Sequence, residues 1–443
     1  MLAKKLGALI SETQYNDLPC KTIEMAKLRV LDYLGISISG YKLGLYKNVM
    51  DVLNIDQGQS IIYGEGYKTS MRNAIVINGF MAHSSYYEDG SRTTGGHPST
   101  AIMPALIALG EERRFSGKQL LLSMVVGYDI FNRIGSTMYP SAVNRGFQTT
   151  PILAPIATAG ACAKMMNLNE EQTIQALNIS APLGAGLKVA LKEAITQPIQ
   201  VSRSCEGGLV AALLAEHDLV GYNRNLEFFI TSHAGNVEKQ VDLTTWGEKF
   251  EIENSYIKIH AGCRGNHAPL DVILDIIKKN NIDINEILSI KVFIDNVTAA
   301  NEIHNPQNKN EAQFNIPFSV AVALLKGNAS LFQYTEDNLK DSTIIEMMNK
   351  VIVEIDSDLD KLLPDKRGAR GEIILKSGEM FNSFIDIPLG EPENPLSSDQ
   401  IIEKFDLLTK DVLGTKIENI KNIVLNLDSL SSIDELTKFL KVN

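Results

Sequence analysis

The pattern of apolar residues changes twice along the 443 residues of this chain, and these changes constrain its fold more than any other feature. Up to about residue 258, apolar residues recur with the period of about 3.6 that is typical of helices. Segments that alternate between apolar and polar residues, as half-buried strands do, follow until about residue 393. The helical pattern returns with Ser397-Ser-Asp-Gln400, a capping box. We therefore predict a mainly α fold with an α+β insertion, in which residues 1–258 and 394–443 form a large all-helical domain and residues 259–393 a smaller α+β lid domain.

Local signals predict individual helices and strands within this frame. Capping boxes at Ser116–Gln119 and Asn169–Gln172 indicate helices that run over 120–134 and to about Ser180. Apolar periodicity predicts further helices at 18–34, 154–166, 208–216, 268–280, 318–326 and 338–348, and small residues in several of them favour close packing. Alternation predicts strands at 289–295, 350–356, 371–376 and 381–387, the last two joined as a hairpin by Ser377-Gly378.

Charge and cysteine usage exclude several classes of function. The net charge is −11 and no basic stripe is visible, which argues against a nucleic-acid partner. The sequence has no transmembrane stretch of eighteen apolar residues and no secretory signal, so we expect a cytoplasmic protein without a membrane partner. The four cysteines are scattered and Gly184-Ala-Gly186 follows no strand pattern, so we expect neither a metal site nor a nucleotide or other cofactor.

Residues 83–97 concentrate groups that can transfer protons. This run contains His83, Tyr86, Glu88, Asp89 and His97 among turn-forming residues, which indicates a loop between two helices. Histidine is the side chain whose ordinary pKa lies closest to neutral pH, so it is the natural acid or base here. The alternative is an ordinary solvated loop without chemical function.

Short motifs follow one another in a fixed order along nearly the whole chain. They are Asn78-Gly79 with His83 and Glu88-Asp89, Gly96-His97-Pro98-Ser99, Gly127-Tyr128-Asp129, Gly146-Phe147-Gln148-Thr149, Lys258 with Cys263 and His267, Glu311 to Phe318, and Gly390-Glu-Pro-Glu-Asn-Pro395. In this order and spacing the chain resembles the MmgE/PrpD family, which contains 2-methylcitrate dehydratase, cis-aconitate decarboxylase and iminodisuccinate epimerase. The resemblance implies a helical domain with a smaller α+β lid, a homodimer and no need for a metal ion.

Five positions depart from the family pattern. Tyr86 stands where the family motif has its first acid, and Gln148 stands where it has a histidine. Gln197 and Gln200 replace a lysine and a histidine, and Phe318 replaces a tyrosine. The glutamines keep hydrogen bonding but remove positive charge, which suggests a substrate with fewer carboxylates than the family's usual ones. Lys188, Lys192 and Arg203 lie near the altered segments and could restore the charge.

The resemblance, read with the chemistry of the residues, gives the candidate site. The candidate catalytic residues are His97 as acid or base, Lys258 as an anchor for a carboxylate or a developing enolate, and Asp89, which would orient His97 or bind substrate. The candidate substrate-binding residues are Tyr86, Glu88, Gln148, Gln197, Arg203, His260, His267 and Phe318. Structural alternatives remain: His97 as a helix cap, Asp89 as a turn cap, Lys258 as an exposed lysine, and His83 as a structural histidine.

We therefore expect a cofactor-independent lyase or isomerase that moves a proton at a carbon next to a carboxyl or carbonyl group. Its partner would be a small carboxylate or carbonyl compound, handled in a specialised biosynthetic pathway. One alternative is a 2-methylcitrate dehydratase-type hydro-lyase of propionate metabolism. The other is a descendant of the family that binds a small molecule without catalysis. We also expect His97 and Lys258 to line one cleft.

Overall fold

The computed structural model describes residues 1–53, 55–192, 196–235 and 239–442, apart from the side chains of residues 191 and 192. The chain forms two compact units, of which one comprises Met1–Ser255 with Ser397–Asn443 and the other Tyr256–Leu396. The first unit is mainly helical and the second is α+β, so the fold class expected from the sequence is confirmed. The chain passes between the units after residues 255 and 396, where the sequence analysis placed these crossings after 258 and 393.

Helices account for most of the first stretch of the helical unit. They are α1 (Leu2–Glu12), α2 (Cys20–Leu43), α3 (Tyr46–Val52), α4 (Met71–Ser84), α5 (Pro98–Arg113), α6 (Gly117–Met138), α7 (Ser141–Asn144), α8 (Thr149–Met165), α9 (Glu170–Ser180), α10 (Thr196–Glu216) and α11 (Asn225–Ala234). Contrary to the prediction, this unit is not all-helical. An antiparallel pair, β1 (Ser60–Ile61) and β2 (Lys68–Thr69), forms across a turn in which Gly64 and Gly66 have positive φ.

Helix α8 lies at the centre of this unit and is buried along its whole length. Small residues let its neighbours approach closely, as the sequence suggested. A Cβ atom added to Gly208 of α10 would lie 2.5 Å from the Cβ of Thr158 on α8. Such a contact is far below van der Waals distance, so a larger residue at position 208 would push the two helices apart.

Helix starts were predicted correctly where the signal is a capping box. The boxes at Ser116, Asn169 and Ser397 all form, with the side chain of each accepting a hydrogen bond from the main-chain N–H three residues later. Two other predicted starts were wrong, because α8 and α10 begin at 149 and 196 instead of 154 and 208. Each has a proline as its third residue, where the missing N–H has no partner within the helix in any case.

The second unit is built on one mixed four-stranded sheet. Its strands are β3 (Ile287–Ile294), β4 (Val351–Ile355), β5 (Ala369–Leu375) and β6 (Met380–Ile385), in the spatial order β4-β3-β5-β6. β3 pairs with β4 in parallel and with β5 antiparallel, and β5 and β6 form the predicted hairpin. Its helices are α12 (His267–Asn280), α13 (Asn296–Ala299), α14 (Lys309–Ala312), α15 (Ile316–Lys326), α16 (Glu336–Lys340) and α17 (Ser342–Asn349).

The single helix expected at 338–348 is in fact two helices, α16 and α17. Asp341 separates them because its backbone is extended, with φ −68° and ψ 117°. Its side chain accepts hydrogen bonds from the main-chain N–H groups of Thr343 and Ile344 and so caps α17.

After the second unit the chain returns to the helical unit as α18 (Ser398–Leu413), α19 (Ile417–Leu425) and α20 (Asp434–Thr437). The return is fixed by a buried ion pair, in which Lys404 Nζ on α18 lies 2.7 Å from Asp32 Oδ1 on α2. The same ammonium group donates a hydrogen bond of 3.0 Å to the carbonyl of Tyr87. The returning stretch therefore contacts the segment that carries the candidate site.

Candidate functional site

The segment between α4 and α5 carries the candidate residues of the helical unit. The predicted loop begins later than expected, because His83 lies in the last turn of α4, where its Nδ1 is 3.0 Å from Thr100 Oγ1. The remaining residues run to His97, which immediately precedes α5. His83, Glu88 and Asp89 are fully buried, so this segment is part of the interior and not an ordinary solvated loop.

His97 has a defined orientation that fixes its tautomer. Its Nδ1 lies 2.6 Å from the main-chain carbonyl oxygen of Asp89, which can only accept a hydrogen bond. Nδ1 therefore carries the proton, and the lone pair of the neutral ring lies on Nε2. The His97 side chain keeps 15% of its surface exposed, and its main-chain N–H donates to Thr150 Oγ1 at 3.1 Å.

A buried carboxylate lies beside the same ring nitrogen. Glu88 Oε1 is 3.4 Å from His97 Nδ1, and the Glu88 side chain is almost fully buried. A carboxylate in this position stabilises positive charge on the imidazole. Tyr86, two residues earlier, is 5% exposed and has a positive φ of 51°. Burial, and then the charge of Glu88, raise the pKa of the Tyr86 phenol, which therefore stays protonated at neutral pH.

The Asp89 carboxylate is occupied by other groups. Oδ1 accepts hydrogen bonds from the main-chain N–H and the hydroxyl of Ser99, at 3.1 and 2.6 Å. Oδ2 accepts from the Tyr128 hydroxyl at 2.6 Å and from Arg29 Nη1 at 3.3 Å. These four donors occupy both oxygens of the carboxylate. Asp89 thus contacts the His97 ring through its carbonyl, while its carboxylate holds the segment to α2, α5 and α6.

The other candidates of this unit differ in their surroundings. Gln148 is 6% exposed and lies at the start of α8, where its main-chain N–H donates to the carbonyl of Gly186 at 3.1 Å. Gln197, in the first turn of α10, is 1% exposed, and its Oε1 has no hydrogen-bond partner among the described residues. Arg203 is about half exposed and forms an ion pair of 3.2 Å with Glu206, a carboxylate that is also paired with Arg72 at 2.5 Å. The Lys192 side chain lies outside the described part of the chain.

The remaining candidates lie in the α+β unit. Lys258 is 2% exposed, and His267, the first residue of α12, is fully buried. The His260 ring lies 5.3 Å from that of His267, and its Nε2 is 2.9 Å from Asp271 Oδ1. Lys258 is therefore not the exposed lysine that the structural alternative describes. That it shares a cleft with His97 stays a prediction.

Phe318, the last candidate of this unit, lies in the first turn of α15. It is 1% exposed, and its ring centroid lies 5.7 Å from that of Tyr334. The Tyr334 hydroxyl donates to Ser319 Oγ at 3.0 Å. Phe318 thus belongs to a local aromatic cluster of the α+β unit.

Sequence reasoning missed several charged groups beside the candidates. Asp271 holds His260, and its second oxygen accepts from the main-chain N–H of Leu389 at 2.7 Å. Arg264 donates through Nε and Nη2 to Glu391 Oε1, at 3.1 and 2.6 Å. Arg29 was missed in the helical unit. The partners of these groups are distant in sequence, so no local pattern could reveal the pairs.

No group of three or more His, Cys, Asp or Glu side chains in the described part of the chain is arranged to hold a metal ion. Across the same residues, no helix combines the length and the apolar character needed to span a bilayer.

Comparison with known proteins gives matches along most of the chain. A family model described as the MmgE/PrpD N-terminal domain matches residues 4–228, and one described as the MmgE/PrpD C-terminal domain matches residues 260–429. Cis-aconitate decarboxylase-like protein oryM of Aspergillus oryzae is 24% identical over 96% of this chain and 94% of its own. Cis-aconitate decarboxylase of Homo sapiens is 24% identical over 99% and 94%. A probable 2-methylcitrate dehydratase of Saccharomyces cerevisiae is 21% identical over 83% and 78%.

Proposed function

Because the chain belongs to the MmgE/PrpD family, whose relatives named above are lyase-type enzymes, we propose that it is a lyase that moves a proton at a carbon next to a carboxyl or carbonyl group. His97 is the proposed acid or base, and Lys258 is the proposed cation that stabilises negative charge on the substrate. The finer choice between elimination, decarboxylation and epimerisation follows from what happens after the proton moves.

One observation carries the proposal, namely the hydrogen bond between His97 Nδ1 and the Asp89 carbonyl. It directs the basic lone pair to Nε2, so that nitrogen can accept a proton from carbon or return one. Positive charge that arises on the ring is stabilised by Glu88 at 3.4 Å and by the Asp89 carbonyl. An oriented base with a fixed partner on its other nitrogen is a common arrangement in proton-transfer enzymes.

Decarboxylation is the outcome favoured by the names of the relatives that cover most of this chain. When a carboxylate leaves as CO₂, the electrons of the broken C–C bond remain on carbon and are delocalised into the neighbouring unsaturated group. The imidazolium of His97 then delivers a proton to that carbon and becomes neutral. Each turnover thus consumes one proton, which the ring recovers from solvent.

Dehydration is the second candidate, in line with the name of the yeast relative. In that reaction neutral His97 removes the proton next to the carboxyl group, and the electrons of the C–H bond form an enolate. The enolate expels a hydroxyl group, which leaves as water after it receives a proton. The two reactions require opposite starting protonation states of His97, so their pH profiles should differ in sign.

The substrate is proposed to carry fewer carboxylates than cis-aconitate or methylcitrate. Gln148 and Gln197 are buried and neutral, and Arg203 is about half exposed and shares the Glu206 carboxylate with Arg72. A buried carboxylate without a cationic partner costs several kcal/mol of binding free energy. A mono-acid or dicarboxylate with one neutral arm therefore fits this set of residues better than a tricarboxylate.

The test combines isotope exchange with binding. The purified protein is incubated in D₂O with cis-aconitate, methylcitrate and matched mono- and dicarboxylic acids, and NMR follows deuterium uptake at carbon, CO₂ release and loss of water. Calorimetry measures the affinity of each acid. We expect exchange or turnover with at least one acid of lower charge, and a loss of roughly 10²-fold or more in His97→Gln and His97→Ala.

His233 offers a matched control. Its Nδ1 also faces a main-chain carbonyl, that of Phe229 at 2.9 Å, but it lies on α11. His233→Gln should keep wild-type turnover. Turnover that survives His97→Gln unchanged would remove His97 from the mechanism, and tight binding of tricarboxylates with efficient turnover would refute the charge argument. Acids that bind without exchange or turnover would favour a binding protein, and acids that do not bind at all would exclude this substrate class.

A further inference from the structure

We infer that Arg29 is a positioning residue for His97, a role that rests on the proposed acid–base function of that histidine. Arg29 lies on α2, and its side chain is 2% exposed. It reaches the segment that carries His97 through the carboxylate of Asp89. Its effect runs through the charge of Asp89 and through the main chain that follows it.

The first link is the salt bridge between Arg29 Nη1 and Asp89 Oδ2, at 3.3 Å. Both side chains are buried, so little water is present to stabilise either charge if the other is removed. Removal of one partner from a buried ion pair leaves an uncompensated charge in the interior. The segment can relieve that cost by moving its carboxylate towards water.

The second link is the Asp89 peptide itself. Its carboxylate is held by Arg29, Tyr128 and Ser99, and its carbonyl holds His97 Nδ1 at 2.6 Å. Any shift of the Asp89 main chain therefore changes the length and direction of the bond that fixes the imidazole. Since proton transfer to carbon requires close alignment, a displacement of about 1 Å can lower the rate by roughly 10²-fold.

The third link joins Arg29 to the end of the first long stretch of the helical unit. Nη2 donates to the carbonyl of Ser255 in a short hydrogen bond and to that of Ile252 at 3.4 Å. Ser255 is the last residue before the chain enters the α+β unit, and its hydroxyl accepts from Asn132 Nδ2 at 3.2 Å. One guanidinium group thus holds both the His97 segment and the point where the chain leaves the helical unit.

Arg133 provides a control that distinguishes a positioning role of Arg29 from a purely structural one. It is a second buried arginine, paired with Asp129 at 2.8 Å, and it donates to the carbonyls of Asp242 and Lys249 at 2.9 and 2.8 Å. It therefore resembles Arg29 in burial, in its carboxylate partner and in its contacts with the chain that precedes Ser255. Its hydrogen bonds go to Asp129, Asp242, Thr245 and Lys249, which are remote in sequence from the His97 segment.

The experiment compares Arg29→Lys, Tyr128→Phe and Arg133→Lys by two measurements. NMR of ¹⁵N-histidine-labelled protein follows the Nδ1–H signal of His97, identified by its loss in His97→Gln, and its titration with pH. Kinetics follow kcat, KM and the pH profile of kcat. We expect Arg29→Lys to move the His97 signal and to lower kcat about 10-fold or more with little change in KM. Lysine keeps the positive charge, but it lacks the planar guanidinium group that binds Asp89 and the Ser255 carbonyl at the same time.

Arg133→Lys is the control for stability, and Tyr128→Phe is the conservative change at Asp89. Arg133→Lys should lower the thermal midpoint as much as Arg29→Lys and leave the His97 signal in place. Tyr128→Phe removes only the hydroxyl donor to Asp89 and should produce a smaller shift of the same kind. Unchanged His97 signals and pH profiles in both Arg29→Lys and Tyr128→Phe would overturn the inference. Since the NMR arm needs no substrate, a failed proposal for the reaction would remain distinguishable from a failed proposal for Arg29.

Discussion

The chemistry of a histidine depends on which of its nitrogens carries the proton, and in His97 the main chain makes that choice. A carbonyl oxygen cannot donate, so the 2.6 Å contact to Nδ1 leaves Nε2 as the basic nitrogen. The Glu88 carboxylate lies 3.4 Å from Nδ1 of the same ring. The charge of Glu88 can therefore be changed without removing the Asp89 carbonyl, which orients the His97 ring.

Glu88→Gln tests this separation. The amide keeps the shape of Glu88 but removes the negative charge 3.4 Å from Nδ1, so a protonated imidazole becomes less favourable. If His97 acts as a base, the ascending limb of the kcat–pH profile should shift to lower pH, and maximal turnover should fall by roughly tenfold. The measurement is kcat between pH 5 and 9 for the wild type and the variant. A profile that keeps its position would show that the Glu88 charge does not act on the ring.

Asp89 and Arg29 show why the site was only partly readable from the sequence. His97, Glu88 and Asp89 lie within ten residues of one another, and their chemistry marks the segment. Arg29, Tyr128 and Asp271 act through partners 60, 39 and 11 residues away in sequence, as their hydrogen bonds show. Only the packing of helices brings such partners together, so neither composition nor periodicity could assign them.

Among the secondary-structure elements, α5 has an unusual start. His97 occupies the position before its first turn, but its side chain does not cap the helix. The N–H of Ser99 is instead satisfied by Asp89, ten residues earlier. Neighbouring α8 adds a second contact, because Thr150 accepts the main-chain N–H of His97. The interpretation that the His97 side chain caps this helix is therefore wrong, because the Asp89 carboxylate accepts the hydrogen bond from the Ser99 N–H instead.

Thr150→Val tests the contact from α8. The substitution removes the acceptor of the His97 N–H and leaves a buried donor without its partner, which should cost about 1–3 kcal/mol of the free energy of unfolding. Thr158→Val is the matched control, since Thr158 lies on the same helix and donates at 2.6 Å to the carbonyl of Ala101. Urea unfolding should show similar losses, while turnover should fall clearly only in Thr150→Val. Equal turnover in both variants would show that the contact between Thr150 and His97 does not contribute to catalysis.

Helices and strands could be predicted where their start or end is marked by a short sequence motif. The box at Ser397 correctly marked the return of the helices, and Ser377-Gly378 correctly marked the hairpin of the sheet. The starts of α8 and α10 were misplaced, because a proline near a helix start looks like a break when only the sequence is read. Their true starts are set by burial against neighbouring helices, which a single sequence does not display.

At the scale of the whole molecule, the helical unit is assembled from two separate stretches of chain. Glu111 on α5 lies at one junction of these stretches, 4% exposed, where it accepts hydrogen bonds from the N–H of Ile61 and from Thr437 near the end of the chain. Burial raises the pKa of the Glu111 carboxyl to about 8, and the hydrogen bonds from Thr437 and Ile61 offset this only in part. At neutral pH this carboxyl is therefore largely protonated in the folded protein.

Stability should consequently fall as the pH rises. In the unfolded chain Glu111 ionises near pH 4.5 and in the folded protein near pH 8, so its contribution is complete below pH 4.5 and is lost as the pH rises towards 8. Glu111→Gln imitates the protonated form and should raise the free energy of unfolding at pH 8 by about 2 kcal/mol or more, with little gain at pH 5. Urea unfolding at both pH values measures this, with Glu112→Gln as the exposed control. A variant that is less stable at both would show that the ionised carboxylate is needed.

The ion pair between Asp32 and Lys404 sets an order of events during synthesis. As the ribosome releases the chain, α2 and the His97 segment emerge early, while the ammonium group that neutralises Asp32 and binds the Tyr87 carbonyl emerges only after the whole α+β unit. Until then Asp32 lacks the ammonium group that lies against it in the folded protein, which disfavours its burial. The α+β unit, whose sheet is complete within residues 287–385, can fold first. The histidine made among the first hundred residues thus acquires its final surroundings among the last events of folding.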